Sequence, residues 1–523
     1  MVDADVPESV PVTPDAVLQR CSDISRDLGE SMAGTACQTP GVLLLEHAGP
    51  WPLEALACLP HHTRSVLENA CQQATLLPAL IRRHLAAPGS VYQPMLIMWV
   101  PDEGGMLAGR RLEAQDDLED IDLVESAELL RDGEIPGGWQ QLPYLIAVCA
   151  HGRRDACCAE LGRELAGALL VHEPQLVWEV SALGPQRFGA GALALPQGVM
   201  YGRLGPQDAA GLVEATRANQ LLVANMRGRH GQTPATQAAE IEVRTTSGCT
   251  DNDQVILLDE LTIPVDPARE RTVTEWEVGG SPWTVVVDRL PDPLPPRMLS
   301  CHATTPEQSE AFSVVSVHHG QPGSSQQEWD ERHGAGHLGE PDPTVLAEVE
   351  GLRPGRAIDL ACGTGRHAVW LAEHGWQVDA VDFSVTAVET LRGYAREKGL
   401  SIAAEIADLT EWSPTRPSYD LIVISFVHLP ALFQRALKWL APQGRIVLVG
   451  HAQRNLSEGV GGPTDPRMLH DPVALAAMAT GARLRVLQAT EKERQTDDGI
   501  AIDAVLVATK PATLDQPVVT GPQ

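Results

Sequence analysis

Two glycines and two acids spaced over about twenty residues carry the densest chemistry in the chain. In RAIDLACGTGRHAVWLAEHGWQVDAVDFS, Gly363 and Gly365 let the backbone turn tightly and approach a ligand, Asp359 precedes the turn, and Asp382 closes the segment. A helix starting directly after the turn would aim its unpaired N–H groups at the same place. Asp382, about twenty residues on, is placed to accept hydrogen bonds from both hydroxyls of a ribose, and a carboxylate there excludes a 2′-phosphate. The chemistry is recognition of a nucleoside-bearing cofactor. By themselves a glycine turn and a distal acid suit a dinucleotide as well.

Other residues suggest reactivity. His428 and His451 end the apolar runs YDLIVISFVHLP and GRIVLVGH, and are the candidate general bases, needed only if the nucleophile carries a proton at the working pH. Of ten cysteines, Cys149, Cys157 and Cys158 crowd one loop, a pattern pointing to metal or redox chemistry; the other seven read as reduced, mostly buried thiols. Adjacent Cys157 and Cys158 pair poorly with each other, so a thiol switch would use Cys149, with Arg153 and Arg154 favouring a thiolate. Arg227 and Arg229 flank Gly228 and read as part of a solvated loop, and Tyr201 reads as the buried tyrosine of a hairpin.

These residues need elements to hold them, and the pattern predicts an α/β protein. Arg356 to Leu360 reads as a buried strand, His367 to His374 as an amphipathic helix and Trp376 to Val381 as the next strand, with further alternation through the strand AIDAVLVAT. Upstream, short strands (GVLLLEH, PYLIAVCA, ALALP, VMYGRL, WTVVVD) mix with helical stretches at AELGRELAGALL and around Leu76 to Ala86. No repeat at a solenoid period is evident. The polar segment from His318 reads as a linker. The organisation expected is a disordered tail at 1–16, a first α/β region at 17–317, a linker at 318–328, a doubly wound domain at 329–511 and a disordered tail at 512–523.

At 523 residues the chain is too long for one core. Its 39 basic and 69 acidic residues give a net charge of -30 with no phosphate-tracking Lys/Arg stripe, so nucleic acid is not an expected partner. The start lacks a basic n-region and an apolar h-region, and no run of about eighteen apolar residues occurs, so a cytoplasmic protein with no membrane partner is expected. Oligomeric state is not legible.

WDERHGAGHLGEPDPTVLAEV, DLACGTGRHAVWLAEHGWQVDAVDFS, YDLIVISFVHLP and LAPQGRIVLVGH together resemble class I S-adenosylmethionine-dependent methyltransferases of the tellurite-resistance and thiopurine methyltransferase kind. The turn is D-L-x-C-G-T-G rather than G-x-G-x-x-G, and Asp408 in IADLTEW stands where the adenine amino group is usually bound. The resemblance implies a Rossmann-like fold, S-adenosylmethionine as cofactor and a small-molecule methyl acceptor. It further implies cofactor contacts from Asp359, Gly363, Gly365, Asp382 and Asp408, a carboxylate- or anion-orienting role for Arg366, and a lid from Trp329 to Glu340.

The upstream segments CSDISRDLGESMAGTA, VCAHGRRDACCAELGRELAGAL and WEVSALGPQRFGAGALALPQGVMYGRL resemble the sucrase/ferredoxin-like family, which implies a thioredoxin-like ferredoxin fold. That family is expected to hold a [2Fe-2S] cluster with two cysteines and the two histidines of H-x-G-G-H. Cys149 and Cys158 match the cysteines, but Ala182 and Gln186 stand at the histidine positions, so the cluster is not expected, nor a metal; His151 or His172 would have to substitute. The alternative is an iron-sulfur or thiol-based redox protein with a secondary methyltransferase half.

Overall fold

The computed structural model describes residues 20–84, 93–101, 106–185, 187–320, 326–334 and 337–512. The tail expected at 1–16, residues 321–325 of the expected linker, Gln186 and everything beyond Ala512 lie outside them. The chain divides into two compact units, Met1–Val317 and His318–Gln523. No helix among the described residues is long and apolar enough to cross a membrane.

The first unit is built on a ten-stranded sheet. In chain order its strands are β1 (Gly41–Glu46), β2 (Leu76–Arg82), β3 (Met95–Val100), β4 (Met106–Arg111), β5 (Gln140–Gln141), β6 (Leu145–Cys149), β7 (Val177–Val180), β8 (Ala192–Leu195), β9 (Val199–Tyr201) and β10 (Met226–Arg229). Their spatial order is β10-β9-β8-β6-β7-β2-β1-β3-β4-β5. A plan is repeated in it. β1 and β2 are parallel, joined by helix α2 (His61–Ala74), and β3 and β4 continue antiparallel beside β1 before helix α3 (Leu123–Arg131). β6 and β7 are likewise parallel across helix α4 (Ala156–His172), and β8 and β9 continue antiparallel beside β6 before helix α5 (Ala209–Arg217). Each half is thioredoxin-like, and equivalent strands β2 and β7 join them antiparallel through Ile81↔Val180 and Arg82↔Glu179. At this seam Ser181 N donates to Leu80 O and Leu80 N to Ser181 Oγ, both 2.9 Å. Buried Glu179 accepts from Arg82 and His84 at 2.6 Å.

Of the helix expected around Leu76 to Ala86, Leu76–Arg82 is strand β2 instead, and residues 85–86 lie outside the described ones. Helix α2 stops at Thr75, which takes a left-handed φ of 56°, and the following apolar run lies inside the sheet, where periodicity alone does not separate a buried strand from a buried helix. Pro78, which cannot donate to a ladder, falls outside the two-residue pairing with β7. Helices α2 and α3 close a core over Leu43, Leu45, Leu96 and Met98, and α4 and α5 close another over Ile146, Val148, Ala192 and Ala194. A helix α6 (Pro234–Ser247) then packs Ala238, Ala239 and Val243 against Trp276, Val285 and Val287 of a four-stranded sheet, β11 (Val255–Asp266), β12 (Arg269–Val278), β13 (Ser281–Pro291) and β14 (Glu310–His319). β14 runs into the segment expected as linker.

The second unit is a seven-stranded sheet: β15 (Arg356–Leu360), β16 (Gln377–Asp382), β17 (Ile402–Ile406), β18 (Tyr419–Ser425), β19 (Leu440–His451), β20 (Arg485–Thr496) and β21 (Gly499–Thr509). The order is β17-β16-β15-β18-β19-β21-β20, the first five strands parallel and β21 antiparallel to both its neighbours. Alternate residues feed opposite cores. Ile358, Ile422, Ile446 and Leu506 meet helices α11 (Pro430–Trp439) and α12 (Pro472–Gly481), while Ala357, Leu421, Val447 and Val505 meet α8 (Pro343–Val349), α9 (Arg366–Glu373) and α10 (Val385–Lys398). Burial on both faces explains why these strands read as unbroken apolar runs. The strand order reverses between β15 and β18, and in such sheets ligands bind outside the carboxyl ends of the strands at that point.

Candidate functional site

At the reversal the turn after β15 is shaped by positive dihedrals. Gly363 and Gly365 have φ of 53° and 88°, and a Cβ on Gly365 would lie 2.4 Å from Leu391 Cδ1. Two non-glycine residues join them in the left-handed region, Ala361 (57°) directly after β15 and Phe426 (54°) directly after β18, strain of the kind stored at functional sites. Asp382, buried at the end of β16, accepts from Gly363 N at 2.8 Å through Oδ2 and from Ser384 N at 2.9 Å through Oδ1. Asp359 is fully buried. Its Oδ2 accepts from Ala368 N at 3.1 Å, its Oδ1 has no hydrogen-bond partner, and burial pushes its pKa up to about 7. Asp408 is exposed just beyond β17, its Oδ1 accepting from Thr410 N and Oγ1, which lower its pKa.

A short helix lies over this turn. In α7 (Gln326–His333), Asp330 Oδ1 accepts from Ser384 Oγ at 2.6 Å and Thr386 N at 2.9 Å, so a residue of α7 occupies the N-terminal turn of α10. Trp329 stacks on His333, ring centroids 5.7 Å apart, and His333 Cε1 is 3.4 Å from where a Cβ on Gly363 would be. Thr364 Oγ1 donates to His337 O at 3.0 Å, and Asp342 N donates to Nε2 of buried His367 at 3.0 Å. Burial lowers the pKa of His367 to about 3, keeping Nε2 an acceptor. This anchor escaped the sequence reading, because a histidine one residue inside a helix carries no distinguishing pattern.

Beside the turn a cavity of about 380 Å³ is lined by Arg366, Phe426, His451, Gly462, Arg494 and Asp498 among others. Arg366 and Arg494 both lie over the Phe426 ring, at 5.4 and 4.9 Å, and His451 is 5.1 Å from it. Arg494 forms a two-pronged pair with buried Asp503, whereas Arg366 has no salt bridge among the described residues, its charge acting on the Asp359 carboxyl. His451 Nδ1 is 3.6 Å from Asp503 Oδ1, beyond hydrogen-bond reach, and burial lowers its pKa. The two candidate histidines are therefore separated. His428 lies against His470, ring centroids 4.7 Å apart, in a small apolar pocket with Leu432, Phe433 and Leu475; its Nδ1 has no hydrogen-bond partner and burial lowers its pKa.

In the first unit Cys149 ends β6 and Cys157 and Cys158 open α4, all three buried. The cation beside Cys149 and Cys158 is not Arg153 or Arg154, which are exposed, but Arg227, fully buried and bonded to Thr35 O at 2.6 Å. Arg227 and Arg229 form strand β10, with Arg229 paired to buried Glu240, so the expected solvated loop is a buried strand. His151 is spent on backbone, its Nδ1 2.9 Å from Ser181 O and Nε2 2.7 Å from Pro52 O, and His172 lies exposed at the far end of α4. Tyr201 is buried in β9. Cys21 and Cys301, distant in sequence, meet Cys157; hydrogen bonds from Cys158, Cys21 and Cys301 pull the Cys157 thiol far below its usual range, while Cys157 and Cys301 raise that of Cys21.

A family model described as a methyltransferase domain matches residues 357–444, and one described as sucrase/ferredoxin-like matches residues 20–228. The chain thus joins a sucrase/ferredoxin-like region to a class I methyltransferase domain. Among curated relatives, ribosomal RNA small subunit methyltransferase C of Alcanivorax borkumensis is 38% identical over 91 residues, covering 17% of this chain and 27% of the relative. 2-heptyl-1-hydroxyquinolin-4(1H)-one methyltransferase of Mycobacteroides abscessus is 33% identical over 90 residues (17% and 40%), and trans-aconitate 2-methyltransferase of Rhodococcus jostii is 32% identical over 114 residues (22% and 39%). The chain spans at most two-fifths of the length of these three relatives.

Proposed function

We propose that the chain transfers the methyl group of S-adenosylmethionine to a small anionic molecule seated in the cavity beside Arg366. The observation that carries this is the pairing of Asp382 with the Gly363 turn at the strand-order reversal: a carboxylate fixed by two backbone N–H groups keeps lone pairs for ribose hydroxyls. The residues fit the cofactor. Asp359 offers a buried, unpartnered carboxylate oxygen to the cofactor's ammonium, Gly363 and Gly365 clear its path, Asp408 suits the adenine amino group, and α7 with Trp329 excludes water. When bound, the sulfonium supplies an activated methyl that an in-line nucleophile can displace.

What the chain's own residues supply is proximity and orientation. Arg366 gives the cavity a cation for a carboxylate or other anion, and the Phe426 ring forms an apolar wall. His451, held neutral near pH 7 by burial, faces the same cavity and is the group we assign to receive a proton where the acceptor carries one; His428 is left to packing. Two of the three relatives act by name on small molecules. The net charge of -30 weighs against an RNA acceptor like that of the third.

For the first unit we infer a scaffold working without the [2Fe-2S] cluster. Ala182 offers no donor atom, Gln186 is outside the described residues, and His151 has both ring nitrogens engaged. Iron analysis of the purified chain checks this, and about two irons per chain would overturn it. The methyltransferase reading is tested by calorimetry. Micromolar S-adenosylmethionine binding is expected, abolished by Asp382→Ala and by Gly363→Val, and unchanged affinity in both variants would refute the site.

A further inference from the structure

Three sulfurs and one carboxylate from segments far apart in sequence converge inside the first unit. Cys21 opens the short helix α1 (Cys21–Asp27), Asp155 and Cys157 stand at the start of α4, and Cys301 lies in the loop before β14. The Sγ atoms of Cys21 and Cys157 are 3.5 Å apart, those of Cys21 and Cys301 3.5 Å, and those of Cys157 and Cys301 3.6 Å. Asp155 Oδ1 is 3.6 Å from Cys21 Sγ.

Asp155 behaves unusually. It is the N-cap of α4, where an aspartate ordinarily accepts from the helix's first N–H groups, yet its side chain caps none of them. Oδ1 instead accepts from Cys301 N at 2.5 Å, and Oδ2, on a residue only 1% exposed, has no hydrogen-bond partner. A buried carboxylate oxygen without a donor is costly unless something satisfies it.

We propose that Cys21, Cys157, Cys301 and Asp155 form a site for one tetrahedral zinc ion, separate from the Cys149 and Cys158 positions. A zinc ion with Zn–S near 2.3 Å holds its sulfurs about 3.8 Å apart, close to the near-equilateral triangle seen, and a carboxylate is an accepted fourth ligand. An iron-sulfur cluster distributes its cysteines over several irons and does not gather three sulfurs in mutual contact. A disulfide would use two of the three thiols and leave both the third and Asp155 unexplained. Binding transfers no electrons: the thiols of Cys21 and Cys301 release their protons to solvent, Cys157 enters as a thiolate, three Zn–S bonds form, and the Asp155 carboxylate completes the shell. The N-terminal turn of α4 helps to hold the thiolate of Cys157.

The test uses the full chain, reduced and stripped with a chelator, then titrated with Co²⁺. One cobalt per chain is expected, with thiolate-to-cobalt absorption in the near ultraviolet and the visible bands of a tetrahedral ion, bleached by an equivalent of Zn²⁺ and accompanied by release of about two protons. Cys301→Ser and Asp155→Asn should each weaken binding at least about tenfold by the reported cost of altering a metal's shell, while Cys149→Ser and Cys71→Ser retain it. Should Cys301→Ser lose its circular dichroism, the Asp155→Asn and wild-type titrations decide. The proposal is overturned if reduced wild-type protein gives no tetrahedral cobalt spectrum, if the signal vanishes with Cys149→Ser but survives Cys301→Ser, or if two of the three thiols prove to be locked in a reducible disulfide.

Discussion

Asp359 is the residue whose environment most constrains how the cofactor would be held. Its folded pKa is raised by burial from 3.8 to about 7, so the stability it contributes is complete below about pH 3.8 and is lost as pH rises towards 7. An ammonium placed against its free oxygen favours ionisation and lowers that pKa. Between about pH 5 and 7, S-adenosylmethionine binding should therefore expel up to one proton, measurable by calorimetry in buffers of different ionisation enthalpy. Asp359→Asn should remove the buffer dependence, and an unaltered dependence would detach this residue from the cofactor. For His451 the sign is opposite: burial lowers its pKa below 6.5, so the base form persists through neutral pH and kcat should fall only on the acid side. With an acceptor found by labelled-methyl transfer, His451→Asn should lower kcat about a hundredfold and flatten that acid limb; an unchanged profile would mean that the acceptor needs no base. That Gly363, Gly365 and Asp382 meet at one turn was legible because two close glycines between apolar strands demand a tight turn and an acid ending the next strand lies beside it. Asp503, Arg494 and Phe426 were not, since Arg494 and Asp503 reach His451 through the β20–β21 hairpin and Phe426 from the end of β18, and no spacing links them.

At the scale of elements, the hydrogen bonds of Asp330 to Ser384 and Thr386 tie α7 to the start of α10. If α7 covers the cofactor, Asp330→Ala should raise the S-adenosylmethionine dissociation rate several-fold in stopped-flow measurements while the thermal midpoint stays within about 2 °C, as expected of a change near the surface. Equal dissociation rates would leave α7 as packing alone. The strands and helices of the second unit were readable because sheet-buried apolar runs alternate there with amphipathic helices at regular spacing. β2 was misread for the same physical reason that made the others easy: LLPALI is apolar throughout, and only the left-handed Thr75 before it marks where the helix ends.

Over the whole molecule, the two proposed sites fall in different units, so each ligand should protect the amides around its own site from hydrogen exchange. S-adenosylmethionine is expected to slow exchange in β15, β16 and α7, and zinc in α1, the start of α4 and the loop before β14. Protection by zinc that appeared only in the second unit would contradict the assignment of its ligands. The repeated plan of the first unit was invisible in sequence because the halves share an order of strands and helices rather than a residue pattern. Its seam has a consequence for ancestry and for dissection. Equivalent strands β2 and β7 run antiparallel there, as a two-fold axis demands. Such an edge is self-complementary, so the ten-stranded sheet with its helices is in effect a dimer written into one chain, and either half cut free would expose the edge with which it pairs to a second copy of itself.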